Sequence, residues 1–159
     1  AATITRLWQA SRRNGLEFLL EIIPSKVGPV DEDTVATLIR EVYALGVFPD
    51  WWKLEPMTSA AAWAKAIAAI EENDRHTRGI VVLGLDAPEA DLAASFEVAA
   101  AFPLVRGFAV GRTIFAQAAR DWLARRVADE MAVADMAARY GKLCAIWDDA
   151  RSAAKGEAA

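Results

Sequence analysis

Pro49-Asp50-Trp51-Trp52-Lys53-Leu54-Glu55-Pro56 is the stretch on which the fold turns. It is short, rich in aromatic and aliphatic side chains and bounded by prolines, so it reads as a strand over roughly 50–55 that Pro56 stops. Strand alternation places Lys53 and Glu55 on one face and Leu54 on the other. An unpaired ion in an apolar setting costs several kcal/mol or titrates to its neutral form. A buried-type strand that keeps charges at its end therefore has a use for them. Three further runs have the same form: Leu-Leu-Glu-Ile-Ile (19–23), Ile-Val-Val-Leu-Gly-Leu-Asp (80–86) and Val-Arg-Gly-Phe-Ala-Val-Gly-Arg (105–112). Each finishes on an ionisable or glycine-rich cluster.

Between these runs the apolar spacing switches to a helical period. Ile4, Leu7, Trp8 and Ser11 trace a first helix that ends near Gly15, and 16–23 reads as a strand covered on both faces. Asp31 caps a second helix with the stripe Val35, Leu38, Ile39, Val42 and Leu45, closed by Gly46. Thr58 or Ser59 caps a third helix, facing inward through Trp63, Ile67 and Ile70. A fourth follows Pro88 with Leu92, Phe96 and Ala99. A fifth carries Ile114, Ala118 and Trp122, and a last helix begins near Asp129 with Met136, Tyr140, Leu143 and Trp147. Its final residues, 154–159, are expected to fray.

The order is α-(βα)×4-α, an α/β arrangement that implies a parallel sheet with right-handed crossovers. A complete (β/α)₈ barrel needs about 250 residues. The expectation is a single domain over 1–159 that forms half of a TIM barrel, four parallel βα units preceded and followed by helices. Such a half leaves two sheet edges and its inner face uncovered, so a partner half is expected, either upstream in a longer chain or from another copy. The first residue is Ala rather than Met, which also suggests a fragment.

Composition narrows the function classes. With 159 residues, 55% hydrophobic and 25% charged, the chain can bury a substantial core. A net charge of −4 argues against a general nucleic-acid or polybasic membrane role. No apolar run approaches a membrane span and no leader pattern is visible, so the expected compartment is the cytoplasm. A single cysteine, Cys144, and a single histidine, His76, leave no disulfide framework and disfavour a metal site; no metal and no cofactor are expected. There is no P-loop or dinucleotide fingerprint.

Parallel α/β proteins gather their chemistry at the carboxyl ends of the strands. Lys53 would there reach the mouth of the site. Burial favours the uncharged amine of a lysine, and a free amine attacks a carbonyl to form a Schiff base whose imine is an electron sink. The alternative is a lysine that snorkels to solvent or pairs with Glu55. Glu21, at the equivalent end of the preceding strand, could shuttle protons during carbinolamine formation and loss; the alternative is an ion pair with Arg or Lys. Gly111 and Arg112 open a helix after the fourth strand, where backbone N–H groups and a guanidinium suit a phosphate. Gly84, Leu85 and Asp86 end the neighbouring strand and would complete that corner. Lys26, in the loop after the first strand, could meet an anionic substrate. His76 precedes a strand and belongs to the opposite end, while Trp51 and Trp52 pack more readily than they bind a sugar ring.

Leu-Leu-Glu-Ile-Ile-Pro, Pro-Asp-Trp-Trp-Lys-Leu-Glu-Pro, Val-Val-Leu-Gly-Leu-Asp-Ala-Pro and Gly-Phe-Ala-Val-Gly-Arg-Thr-Ile-Phe resemble the C-terminal domain of bacterial myo-inositol-catabolism proteins. In those proteins a sugar-kinase domain, 5-dehydro-2-deoxygluconokinase, is followed by a domain of the DUF2090 type. That domain in turn is similar to class I aldolases, tagatose-bisphosphate aldolase among them. The resemblance covers nearly the whole chain. It implies a Schiff-base lyase with Lys53 as nucleophile, Glu21 as acid/base partner, Glu55 beside them, and Gly111 and Arg112 on phosphate. The implied substrate is 2-deoxy-5-keto-gluconate 6-phosphate, cleaved to dihydroxyacetone phosphate and malonate semialdehyde. The implied alternative is a non-catalytic domain that supports an attached kinase. The chain departs from the pattern where class I aldolases often carry a serine on the third of these strands, since Gly84-Leu85-Asp86 stands there. It also lacks the Gly-Ala-Gly-Asp anion hole of ribokinase-type kinases.

Overall fold

The structure is a computed structural model that describes residues 1–84 and 87–157. Its elements are α1 (Ala2–Arg13), β1 (Leu19–Ile22), a 3₁₀ turn (Pro24–Lys26), α2 (Thr34–Ala44), β2 (Trp51–Leu54), α3 (Ala60–Glu71), β3 (Gly79–Leu83), α4 (Glu89–Ala99), β4 (Val105–Ala109), α5 (Arg112–Leu123) and α6 (Asp129–Glu157). The four strands form one parallel sheet in the order β1-β2-β3-β4. The expected half-barrel architecture of four βα units with flanking helices is what the chain adopts.

Alternation sorts each strand into two faces. Leu20, Trp52, Leu54, Ile80, Val82 and Val105 are buried and share one core with Val35 and Ile39 of α2, Trp63 and Ile70 of α3, Leu92 and Phe96 of α4, and Leu143 and Trp147 of α6. Two buried indoles find partners, as burial favours, while the buried Ser95 hydroxyl has none among the described residues. Trp52 Nε1 donates to the Tyr43 hydroxyl at 3.1 Å and Trp63 Nε1 to the Met57 carbonyl at 2.9 Å. Burial pushes the Tyr43 phenol up to about 12, so it stays a neutral hydroxyl there. α6 packs on α4 and α5, and its Arg151 donates to the carbonyls of Ala100 and Phe102 at the end of α4. Those carbonyls have no partner within the helix, and a cation suits that end of its dipole.

The opposite face holds Leu19 and Glu21 of β1, Trp51 and Lys53 of β2 and Val81 of β3, all exposed or half-buried. The first strand is therefore covered on one face only, against the expectation from its unbroken apolar run. It is also shorter than 16–23. The Asp50 carboxylate takes the Phe18 N–H at 2.7 Å, and the Phe18 carbonyl takes the N–H groups of Asp50 and Trp51, so 16–18 leads into the sheet instead of extending it. The helix stripes also shift. Val35, Ile39 and Val42 are buried, while Leu45 and Trp122 are 41% and 47% exposed. The N-cap of α2 is Asp33 rather than Asp31; Asp31 accepts the N–H groups of Asp33 and Thr34 from the turn that leads into the helix, and Ser59 is the cap of α3. The last helix continues to Glu157 rather than fraying over 154–157, its C-terminal half fixed by Trp147, Ala150 and Arg151 against α4.

A bulge sits where β4 meets β3: Ile80 pairs with Val105 but Val81 with Gly107, leaving Arg106 extra. Gly79 makes room for it. Its φ is +140°, and a Cβ there would lie 2.6 Å from Arg106 Cγ and 2.7 Å from the Leu104 carbonyl oxygen. A larger residue would be strained twice over.

Asp50 fastens the lower rim of the sheet, joining β1, β2 and α1 through Phe18 and an ion pair with Arg12. Burial alone would raise its carboxyl, but the Phe18 N–H and the Arg12 guanidinium outweigh that and hold it below the usual carboxylate range. A carboxyl lowered by folding stabilises the fold above its unfolded value of about 3.9, and that contribution fades as pH falls through the lower folded value. Asp50→Asn should therefore cost about 1–2 kcal/mol at pH 7 in urea unfolding, with the difference from wild type shrinking at about pH 3. An equal difference at both pH values would show that the charge is not what Asp50 contributes.

Candidate active site

β1 and β2 pair in register with Glu21 directly across from Lys53. On one sheet face such a pair lies within reach of direct contact, and Lys53 Nζ meets Glu21 Oε1 at 2.9 Å. Lys53 is 24% exposed and Glu21 40%. The pair stands on the uncovered face, beside a cavity of about 320 Å³ at the carboxyl ends of the strands. Lys26, Gly84, Gly111 and Arg112 line the same cavity. Six of the residues singled out in the sequence thus meet in one place, drawn from β1, the 3₁₀ turn after it, β2, the end of β3 and the start of α5. Leu85 and Asp86 lie outside the described residues.

Glu55 is placed differently. It is 6% exposed and accepts a hydrogen bond from Ser25 Oγ at 2.5 Å, so its carboxylate secures the 3₁₀ turn that carries Lys26. Lys53 pairs with Glu21 rather than with Glu55, because the register sets Glu21 opposite it while Glu55 lies beyond the strand end, under the turn. Trp51 lies one layer below, its indole N–H on Glu17 Oε2 at 2.8 Å, and Arg78 closes the same carboxylate at 2.8 Å. His76 is at the other end of the sheet, in a small cavity with Trp8 and Phe48.

α5 begins at the cavity without a side-chain cap from Gly111. The unpaired N–H groups of a first helical turn and the positive end of the dipole suit an anion, and Arg112 adds a guanidinium that can clamp it in two places. The two glycines here serve packing as well. A Cβ on Gly84 would lie 2.6 Å from Val110 Cγ1, and one on Gly111 would lie 3.1 Å from the Phe115 ring. Ile23, Thr113 and Phe115 also line the cavity and were not anticipated from sequence. Thr113 could have been: it sits in the first turn of the helix that Gly-Arg opens. Ser25 carried no sequence signal, since its partner is thirty residues away. Among the described residues no group of three or more His, Cys, Asp or Glu side chains is disposed to hold a metal ion, and no helix is long and apolar enough to cross a membrane.

Parallel βα units that gather a lysine–carboxylate pair and an uncapped helix start at their carboxyl ends define a barrel-type α/β domain with a polar cavity at the usual catalytic end. Within that class, the chain belongs to the family described as an uncharacterized protein conserved in bacteria (DUF2090), which it matches over residues 1–151. The DUF2090 part of the expected kinship is thereby borne out. No curated protein matches the chain.

Because Val110 fills the space a side chain on Gly84 would need, Gly84→Ala should displace the β4–α5 connection. It should lower stability by about 1–3 kcal/mol, whereas Gly28→Ala, which meets nothing within 4 Å, should change it little. Matched urea midpoints for the two variants would contradict the packing role of Gly84.

Proposed function

We propose that the chain is the half-barrel of a class I, Schiff-base aldolase that cleaves a phosphorylated keto-deoxy sugar acid. The observation that carries this is the Lys53–Glu21 pair at 2.9 Å, set in the cavity that Gly111 and Arg112 close on its far side. Lys53 adds through its amine to the substrate ketone, and Glu21 moves the proton as the carbinolamine forms and loses water. The resulting imine accepts the electron pair released when the neighbouring carbon–carbon bond breaks, and hydrolysis returns the amine. Arg112 and the start of α5 hold the phosphate, which fixes the ketone over Lys53. Lys26 meets the second anionic end, its turn secured by Glu55 through Ser25. Leu85 and Asp86 belong to the phosphate corner in this reading.

The sequence resemblance narrows the substrate to 2-deoxy-5-keto-gluconate 6-phosphate, giving dihydroxyacetone phosphate and malonate semialdehyde in cytoplasmic myo-inositol breakdown. A 5-dehydro-2-deoxygluconokinase domain attached to the same protein would supply the phosphate ester. The uncovered inner face, with Leu19 46% exposed, and the two free sheet edges are closed in this reading by further βα units, from the parent chain or a second copy. A second reading is favoured by one observation: Lys53 and Glu21 already form a complete ion pair, which is what a lysine makes in a domain that only supports an attached kinase.

Borohydride trapping separates the two. In the parent protein with its barrel closed, the keto-sugar phosphate or dihydroxyacetone phosphate plus borohydride should leave a reduced adduct on Lys53. Lys53→Met should abolish both adduct and cleavage, while Glu21→Gln should retain substrate binding and slow turnover by about 10²-fold. Cleavage that persists without Lys53 would defeat the mechanism, and no cleavage of any keto-sugar phosphate would favour the supporting domain.

A further inference from the structure

Trp122 and Leu123, at the end of α5, are 47% and 72% exposed, and Val133, in the second turn of α6, is 61% exposed. The two helices pack on each other and leave two cavities that meet at Trp122. One, of about 330 Å³, is lined by Ala119, Trp122, Asp129, Ala132, Val133 and Met136. The other, of about 630 Å³, takes in Leu123, Arg125 and the turn between the helices. Trp122 and Asp129 line both. The Trp122 indole N–H donates to Asp129 Oδ1 at 2.7 Å, so its one polar atom is engaged and the ring offers an apolar face. Single exposed apolar side chains are ordinary, but a contiguous patch of them marks a contact surface. The rim carries both signs of charge. Arg126 is committed to Asp121, with Nη2 at 2.5 Å from Oδ1. Arg125 and Asp129 line the same cavity without pairing with each other. The Arg125 guanidinium has no hydrogen bond or ion pair among the described residues, and the Asp129 carboxylate is bound by the neutral Trp122 indole alone.

We propose that this groove is the contact surface of a homodimer, in which Leu123 of each copy enters the groove of the other and Arg125 of each copy meets Asp129 of the other. A two-fold contact brings a surface onto itself, so every residue pair in it forms twice. That suits a patch on which a projecting leucine, a groove, an unpaired cation and a carboxylate without a cationic partner lie side by side. A foreign helix would have to supply the apolar knob and both charges itself, whereas a second copy carries all of them. Trp, Met and Arg are also the side chains enriched at the centres of such contacts. The patch offers roughly ten residues a side, against the ~20–30 of a standard interface, so the dimer dissociates at about 10 µM or above. None of its residues lines the inner cavity, so the contact stands whether or not Lys53 forms a Schiff base.

Sedimentation velocity of the chain over a concentration series from micromolar to submillimolar tests this. The chain should pass from monomer to dimer as concentration rises. Leu123→Lys, at an exposed position, should weaken the dimer by about tenfold or more, with the urea midpoint of the monomer unchanged. Leu7→Lys, at a leucine 57% exposed on α1, should dimerise as wild type does. Arg125→Glu and Asp129→Arg should each weaken the dimer, since like charges then face each other twice. An equimolar mixture of those two variants should dimerise again, because the mixed pair restores both ion pairs, one of them with its polarity reversed. A chain that stays monomeric throughout would overturn the proposal. So would a dimer that Leu123→Lys and Arg125→Glu leave intact, which would put the contact on another surface, or an equal loss in Leu7→Lys, which would show apolar self-association without a defined surface. Absence of rescue in the mixture, with both variants folded by circular dichroism, would overturn the two-fold pairing.

Discussion

Parallel pairing of β1 with β2 is the constraint on which the rest depends. Leu20 opposite Trp52 and Ile22 opposite Leu54 fix the register, and all four belong to the core or pack against it. The same register sets Glu21 against Lys53. Side-chain direction repeats every two residues, so a slip of one would carry the carboxylate into the core and expose the leucines. The ion pair itself, half open to water, adds little stability. Its position is a by-product of apolar packing on the other face, and that is how a stable fold can hold a lysine in place for chemistry.

The far wall of the cavity follows the same logic. Gly79 admits the bulge at Arg106, the bulge shifts the register of β4, and Gly84 lets Val110 approach the end of β3. Together they deliver the start of α5 to the cavity that Lys53 borders. α5 then presents Arg112 to the inner cavity and, at its other end, forms the groove at Trp122 together with α6. The long last helix is thus more than a cover for α4.

Much of this was legible in the chain. The alternation of strand and helix periods located every strand and α-helix, though not the 3₁₀ turn at Pro24–Lys26, and the strand ends pointed to Glu21, Lys53, Gly111 and Arg112, which the fold brings to one cavity. What local pattern could not show were relations set by distant partners. The run 16–23 looks like one strand, and only the Asp50 carboxylate, binding Phe18, shortens it. Lys53 has two carboxylates of suitable spacing, and only the register chooses Glu21 over Glu55. Leu45 fits the helical stripe yet lies at the end of α2, where the sheet no longer covers it.

The central claim is that the Lys53 amine is a nucleophile addressed to phosphate-bearing carbonyl compounds. Competitive labelling of all lysines by a small acylating reagent at neutral pH, read residue by residue by mass spectrometry, tests it most directly. The account predicts that dihydroxyacetone phosphate protects Lys53 from the reagent while Lys65, Lys142 and Lys155 are labelled as before, and that Arg112→Ala removes the protection. Labelling of Lys53 that is indifferent to the sugar phosphate would contradict it.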